Sequence, residues 1–118
     1  CAACDAPAMK DAALWLRLDF ADGRVGPGKI ALLEAIAEAG SISAAARSLG
    51  MSYRRAWELV AELNETFSAP VVERITGGAG GGGARLTRLG EALVLGFREI
   101  EAAATRAASQ HLRRLAKS

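Results

Sequence analysis

The sequence predicts a mainly α fold with one small β-hairpin and a long final helix, and three observations predict it. Apolar residues recur at helical spacing in three stretches between Lys29 and Phe67. The tract TGGAGGGGA, from Thr76 to Ala84, holds six glycines in nine residues and lies between two short extended pieces. After Thr87 no proline interrupts an apolar stripe that reaches about Lys117. The chain has 118 residues, of which 51 % are hydrophobic, which suits one domain with a packed core. The expected division is a loose tail over 1–12 and one domain over 13–118.

Leu14, Leu16, Leu18 and Phe20 alternate with Trp15, Arg17 and Asp19, the period of a half-buried strand. Asp22-Gly23 and Gly26-Pro27-Gly28 punctuate the chain as turns. Ile30, Leu32, Leu33, Ile36 and Ala37 give a helix from Lys29 to Ala39, closed by Gly40 in a left-handed cap. Ser43 is the expected N-cap of a short helix, Ala44 to Leu49, which Gly50 ends. Ser52 caps a third helix to about Phe67, with Ala56, Val60, Leu63 and Phe67 on one face. Pro70 breaks the helix, and Val71 to Ile75 and Arg85-Leu86 form a ribbon around the glycine tract. Thr87 caps the last helix, whose stripe is Leu89, Leu93, Phe97, Ile100, Ala104, Ala108, Leu112 and Leu115. At 1.5 Å per residue such a helix is roughly 45 Å long, more than a domain this small can cover. Its stripe from Leu93 to Leu115 is therefore expected to meet a partner.

Two helices joined by a short glycine-containing turn form a helix-turn-helix, whose second helix enters the DNA major groove by its first turn. Ser52-Tyr53-Arg54-Arg55 occupies that turn, ahead of the apolar face. Arginine there can grip guanine O6 and N7 or a phosphate. The ribbon that follows adds a wing, and glycines let a backbone approach phosphate closely. The expected DNA-binding set is Ser52, Tyr53, Arg54 and Arg55 with Ser43, Arg47, Arg74, Gly78, Gly81, Gly82 and Arg85. Arg88 adds charge beside the wing. Glu58, Glu62, Glu65 and Glu73 oppose this charge, several of them late in the third helix. Tyr53 leans to DNA contact, and Trp57 is open between packing and backbone contact. The bland alternative is a helical hairpin with a solvated charged face.

The stretches GSISAAARSLGMSYRRAWELVAELN and PVVERITGGAGGGGARLTRLGEALV resemble the N-terminal DNA-binding domain of the ModE family of molybdate-responsive transcriptional regulators. The likeness covers about residues 14–105, and a wider kinship with LysR-type DNA-binding domains is visible at the same positions. The resemblance implies a winged helix-turn-helix, dimerised through helices outside the DNA-reading unit, acting in the cytoplasm of a prokaryote on molybdate-uptake or molybdenum-enzyme genes. Here the long helix, with Leu93, Phe97, Ile100, Ala104, Ala108, Leu112 and Leu115, takes the dimerising role. The expected partner is a near-palindromic double-stranded operator bound by a homodimer. Full-length family members carry a C-terminal molybdate-binding portion, and this sequence stops at Ser118. A one-domain member is expected, with no molybdate site assigned.

Other classes fit less well. The glycine tract lacks the lysine of a phosphate-binding loop. One histidine, His111, and the terminal Cys1 and Cys4 give neither a four-ligand zinc site nor a nucleophilic constellation. An enzyme is not expected, nor a cofactor. No apolar run is long enough to span a membrane. Net charge is only +2, so any attraction to DNA is local. The alternative function is a protein-interaction or dimerisation module on a winged-helix scaffold that does not read DNA.

Overall fold

A computed structural model describes residues 12–76 and 82–117. The element order is β1 (Leu18–Phe20), β2 (Gly23–Val25), α1 (Pro27–Ala39), α2 (Ile42–Ser48), α3 (Tyr53–Thr66), β3 (Val72–Ile75), β4 (Gly83–Leu86) and α4 (Arg88–Lys117). The helical content, the β3–β4 hairpin and the long last helix match the expected fold class.

The amino-terminal strand differs from expectation. Only Leu18–Phe20 pairs, because its partner is the three-residue β2, antiparallel with Leu18 opposite Val25 and Phe20 opposite Gly23. Gly23 is a strand residue and not only a turn signal. A Cβ there would strike Thr66 Oγ1 at the end of α3, so only glycine lets β2 lie this close. Phe20 packs edge-on against Phe67, with ring centroids 4.9 Å apart.

α1 starts at Pro27, two residues before the expected Lys29, because the fixed proline φ suits the first helical position. It buries Ile30, Leu32, Leu33 and Ile36 and stands at the centre of the domain. Gly40 closes it at φ 77°, its N–H bonded to Ile36 O at 2.8 Å. The expected cap of α2 is corrected. Ser41, not Ser43, is the N-cap, its Oγ accepting from Ala44 N at 3.0 Å. The register follows from burial of Ile42 with Ala45 and Ala46, which puts Ser43 on the exposed side. Ser52 caps α3 as expected, accepting from Arg55 N at 3.0 Å. Its buried face is Ala56, Leu59, Val60, Leu63 and Thr66.

The start of β3 joins three elements. Asn64 Oδ1 on α3 accepts from Val71 N at 2.8 Å and from Val72 N at 3.3 Å. Val71 O accepts from Thr87 N at 3.0 Å. Thr87 Oγ1 caps α4 by accepting from Gly90 N at 3.1 Å. Gly90 is buried there, and a Cβ on it would run into the Val71 carbonyl oxygen and lie 3.1 Å from its carbon. Backbone cannot swing away as a side chain can. Gly90→Ala is therefore expected to destabilise the fold by about 1–3 kcal/mol or more. Gly96→Ala, with nothing within 4 Å of the added methyl, is expected to be neutral or stabilising by up to about 1 kcal/mol. Thermal unfolding of the two variants compares them directly, and equal midpoints would refute the close approach.

α4 divides into two parts. Leu89, Leu93, Val94 and Phe97 pack on the core. Arg98 then ties the helix to α1, with Nε and Nη2 reaching Glu34 at 3.0 and 2.8 Å, and Nη1 reaching Glu101 at 2.7 Å. The bonds from Arg98 hold the Glu34 carboxyl below its ordinary value, and those to both carboxylates hold the guanidinium charged. Phe97 corrects an expectation. It is 1 % exposed inside its own domain, so it is not part of a stripe left over for a partner. Leu93 is half-buried against the same core. Leu95, Ile100 and Leu115 stay exposed, at 65 %, 45 % and 69 %. The molecule is 58 Å along its longest axis.

Candidate nucleic-acid interface

The first turn of α3 projects from the domain because its register is set from behind. Ala56, Leu59, Val60 and Leu63 lock one face inward, so Ser52, Tyr53, Arg54 and Arg55 remain exposed. Arg54 is the most open, with 91 % of its side chain accessible. The charge there is less free than the sequence suggests. Arg54 Nε lies 3.6 Å from Glu58 Oε1, and Arg55 Nη1 lies 4.0 Å from Glu58 Oε2. Glu58, one turn further along α3, thus reaches back to both arginines, although the first turn itself holds no acid. Such exposed pairs are weak, so phosphate can displace them.

The wing is fixed to the helices by backbone. Ala84 N donates to Gly40 O, in the α1–α2 turn, at 2.9 Å. Strand alternation then assigns the wing side chains. Arg74 stands opposite Ala84, which is buried, so this pair faces the domain. Glu73 stands opposite Arg85 on the other face, and the two form an ion pair at 2.7 Å. Arg74 and Arg85 are thus on opposite faces of the wing. Arg74 reaches α3, its guanidinium 5.0 Å from the Trp57 ring centroid.

Ser41, Ser43, Tyr53, Arg74, Gly82 and Gly83 meet around one cleft between α2, α3 and the wing. This brings together Ser43, Tyr53, Arg74 and Gly82 of the expected set. Ser52, Arg54 and Arg55 share the neighbouring turn. Arg47 is exposed on the last turn of α2 and makes no ion pair among the described residues. Arg85 is on the outer face of the wing. Gly78 and Gly81 lie outside the described residues. Of packing and backbone contact, the two roles open to Trp57, the structure shows packing. Trp57 is half-buried against the core, its Nε1–H donates to Tyr53 Oη, and its ring carries Arg74. Its i, i+4 spacing from Tyr53 was visible in the sequence, but its partner on β3 was not.

Comparison with known proteins identifies the family and the fold. The sequence profile of the bacterial regulatory helix-turn-helix protein, lysR family, matches residues 28–91. The chain is 51 % identical over 84 residues to the molybdenum-pterin-binding protein MopA of Rhodobacter capsulatus, covering 71 % of this chain and 32 % of that protein. It is 49 % identical over 75 residues to the DNA-binding transcriptional dual regulator ModE of Escherichia coli strain K12, covering 64 % of this chain and 27 % of that one. The chain thus spans about a third or less of the length of these relatives. Among solved structures, a complex titled CbnR_DBD-DNA superposes with a TM-score of 0.58 at 26 % identity, covering 77 % of this chain and 97 % of the other. The ModE resemblance and the winged helix-turn-helix expectation both stand.

Proposed function

This chain belongs to the lysR-type bacterial regulatory helix-turn-helix family, and from that premise we propose that it is a sequence-specific DNA-binding transcriptional regulator acting as a homodimer. The observation that carries the proposal is the exposed first turn of α3, two arginines on a capped helix end whose opposite face is locked into the core. A helix N-terminus so presented favours anions and can approach base edges. Arg54 and Arg55 would read the major groove, while Ser43, Ser52 and Tyr53 would donate hydroxyl bonds. Arg47 and Arg74 would hold the backbone beside them. Arg85, paired with Glu73, would join only by exchanging that partner for a phosphate.

The MopA relative is named for molybdenum-pterin binding and the ModE relative for DNA-binding transcriptional regulation. Control of genes for molybdate uptake or molybdenum enzymes, exerted in the cytoplasm, is accordingly the proposed biological role. No helix among the described residues is long and apolar enough to cross a membrane. The role is regulatory, not catalytic.

Selection of sites from a randomised duplex pool tests the function, and a two-fold-symmetric motif is the expected result. On the selected site, Arg55→Ala is expected to weaken binding by about 1–3 kcal/mol and to relax preference at one base position. A folded variant with unchanged affinity would remove Arg55 from the reading set. Recovery of no motif at all would favour a protein-interaction module on the same scaffold.

A further inference from the structure

The cleft between α3 and the wing has an unusual balance of donors. Arg74 is exposed and lies over the Trp57 ring, its guanidinium carbon 5.0 Å from the centroid, beside Gly82, where a Cβ would lie 3.7 Å from Arg74 Nη2. It makes no ion pair among the described residues, and no carboxylate lines the cleft. Arg54, Arg55 and Arg85, by contrast, each share an acid. Tyr53 Oη accepts from the Trp57 indole N–H. The hydroxyl keeps its own proton available to donate. Ser43 adds a further hydroxyl at the rim. One indole thus holds a guanidinium on its face and a phenol at its nitrogen, and both present hydrogens to the same opening. A guanidinium and a hydroxyl proton side by side, with no carboxylate between them, match an anionic oxygen pair.

We infer that this cleft seats one phosphate of the DNA backbone between Tyr53 and Arg74, with Trp57 as the positioning residue for both. The inference rests on the DNA-binding reading and gives the Tyr53 hydroxyl bond within it a target, one backbone phosphate. Trp57 touches no DNA. It keeps the first turn of α3 and the wing at one spacing, so that one phosphate satisfies both.

The test uses the full chain and a short mixed-sequence duplex, since a backbone contact acts on any sequence. Binding is followed by fluorescence anisotropy across a salt series. Arg74→Gln is expected to lower the slope of log affinity against log salt by about 0.9, the loss of one neutralised phosphate. Tyr53→Phe is expected to weaken binding roughly tenfold at every salt concentration, with the slope unchanged. Trp57→Phe keeps a ring beneath Arg74 but loses the N–H, so it should behave as Tyr53→Phe. Trp57→Leu should lose slope as Arg74→Gln does, and adding Arg74→Gln to it should remove no more. If Trp57→Leu fails to fold by circular dichroism, Trp57→Phe decides the matter. A Trp57→Phe variant that binds as the parent removes Trp57 from the positioning role. An unchanged slope in Arg74→Gln overturns the clamp while leaving DNA binding intact. Failure of the unaltered chain to bind the duplex overturns the DNA-binding reading itself.

Discussion

Replacing Phe97 by alanine is expected to cost the folded state about 3–5 kcal/mol, the range for removing a buried aromatic ring. A domain of this size has about 5–15 kcal/mol in all, so the variant would sit near its unfolding threshold. Phe97 is 1 % exposed and closes the core that Leu33, Ile36, Val71 and their neighbours build. It reaches that core from α4, one residue before Arg98 binds Glu34 of α1. The side chain therefore anchors the long helix as well as filling the interior. Leu115→Ala, on the same helix and 69 % exposed, is expected to stay within about 0.5 kcal/mol when the chain is dilute enough to be monomeric. Urea midpoints of the two variants give the comparison. Similar small shifts for both would mean that α4 is not packed as described. A cut after Leu95 would remove Phe97 and would report on folding before it reported on assembly.

Local signals were legible in the sequence because their causes are local. Gly40, Ser52 and Thr87 each close or open a helix through atoms within four residues. The apolar spacing of α3 gave its buried face for the same reason. Features with remote causes were not legible. Gly23 looks like a turn until Thr66 is seen against it. Ser41 and Ser43 are equally good caps on paper, and only the burial of Ile42 decides between them. Phe97 lies on the same stripe as Ile100, and no spacing rule says where the core stops and the surface starts. In the candidate interface, the arginine turn was readable, whereas the Trp57–Arg74 contact exists only because the wing folds back onto α3. The Glu58 bridges were a different case. Their i, i+3 and i, i+4 spacing is in plain view, with Glu58 one turn beyond the arginines.

Truncation after Glu101 is expected to give a folded monomer whose affinity for a two-fold-symmetric site falls by about 10²–10⁴-fold. The cut keeps Phe97 and both ion pairs of Arg98, so the core and its tie to α1 survive. It removes Ala104, Ala108, Leu112 and Leu115, which supply no residue to the core. In the proposed dimer, this half of α4 packs against its counterpart in a second copy, through Ile100 and the four residues beyond. Burying a leucine fully contributes about 1.5–3 kcal/mol, so a few such residues from each copy are enough to favour association. Small alanines at 104 and 108 let two helices approach closely. Once paired, the two α3 first turns are held at one separation, and binding of the second half-site becomes intramolecular. Their spacing would correspond to one or two turns of DNA. Sedimentation and DNA titration of the same fragment separate the links. A fragment that remains dimeric would move the interface elsewhere on the molecule. A monomer that keeps full affinity would mean that each copy reads its site alone, and the palindromic operator would lose its basis. Only a monomer with a large loss of affinity connects the exposed stripe of α4 to the reading of DNA.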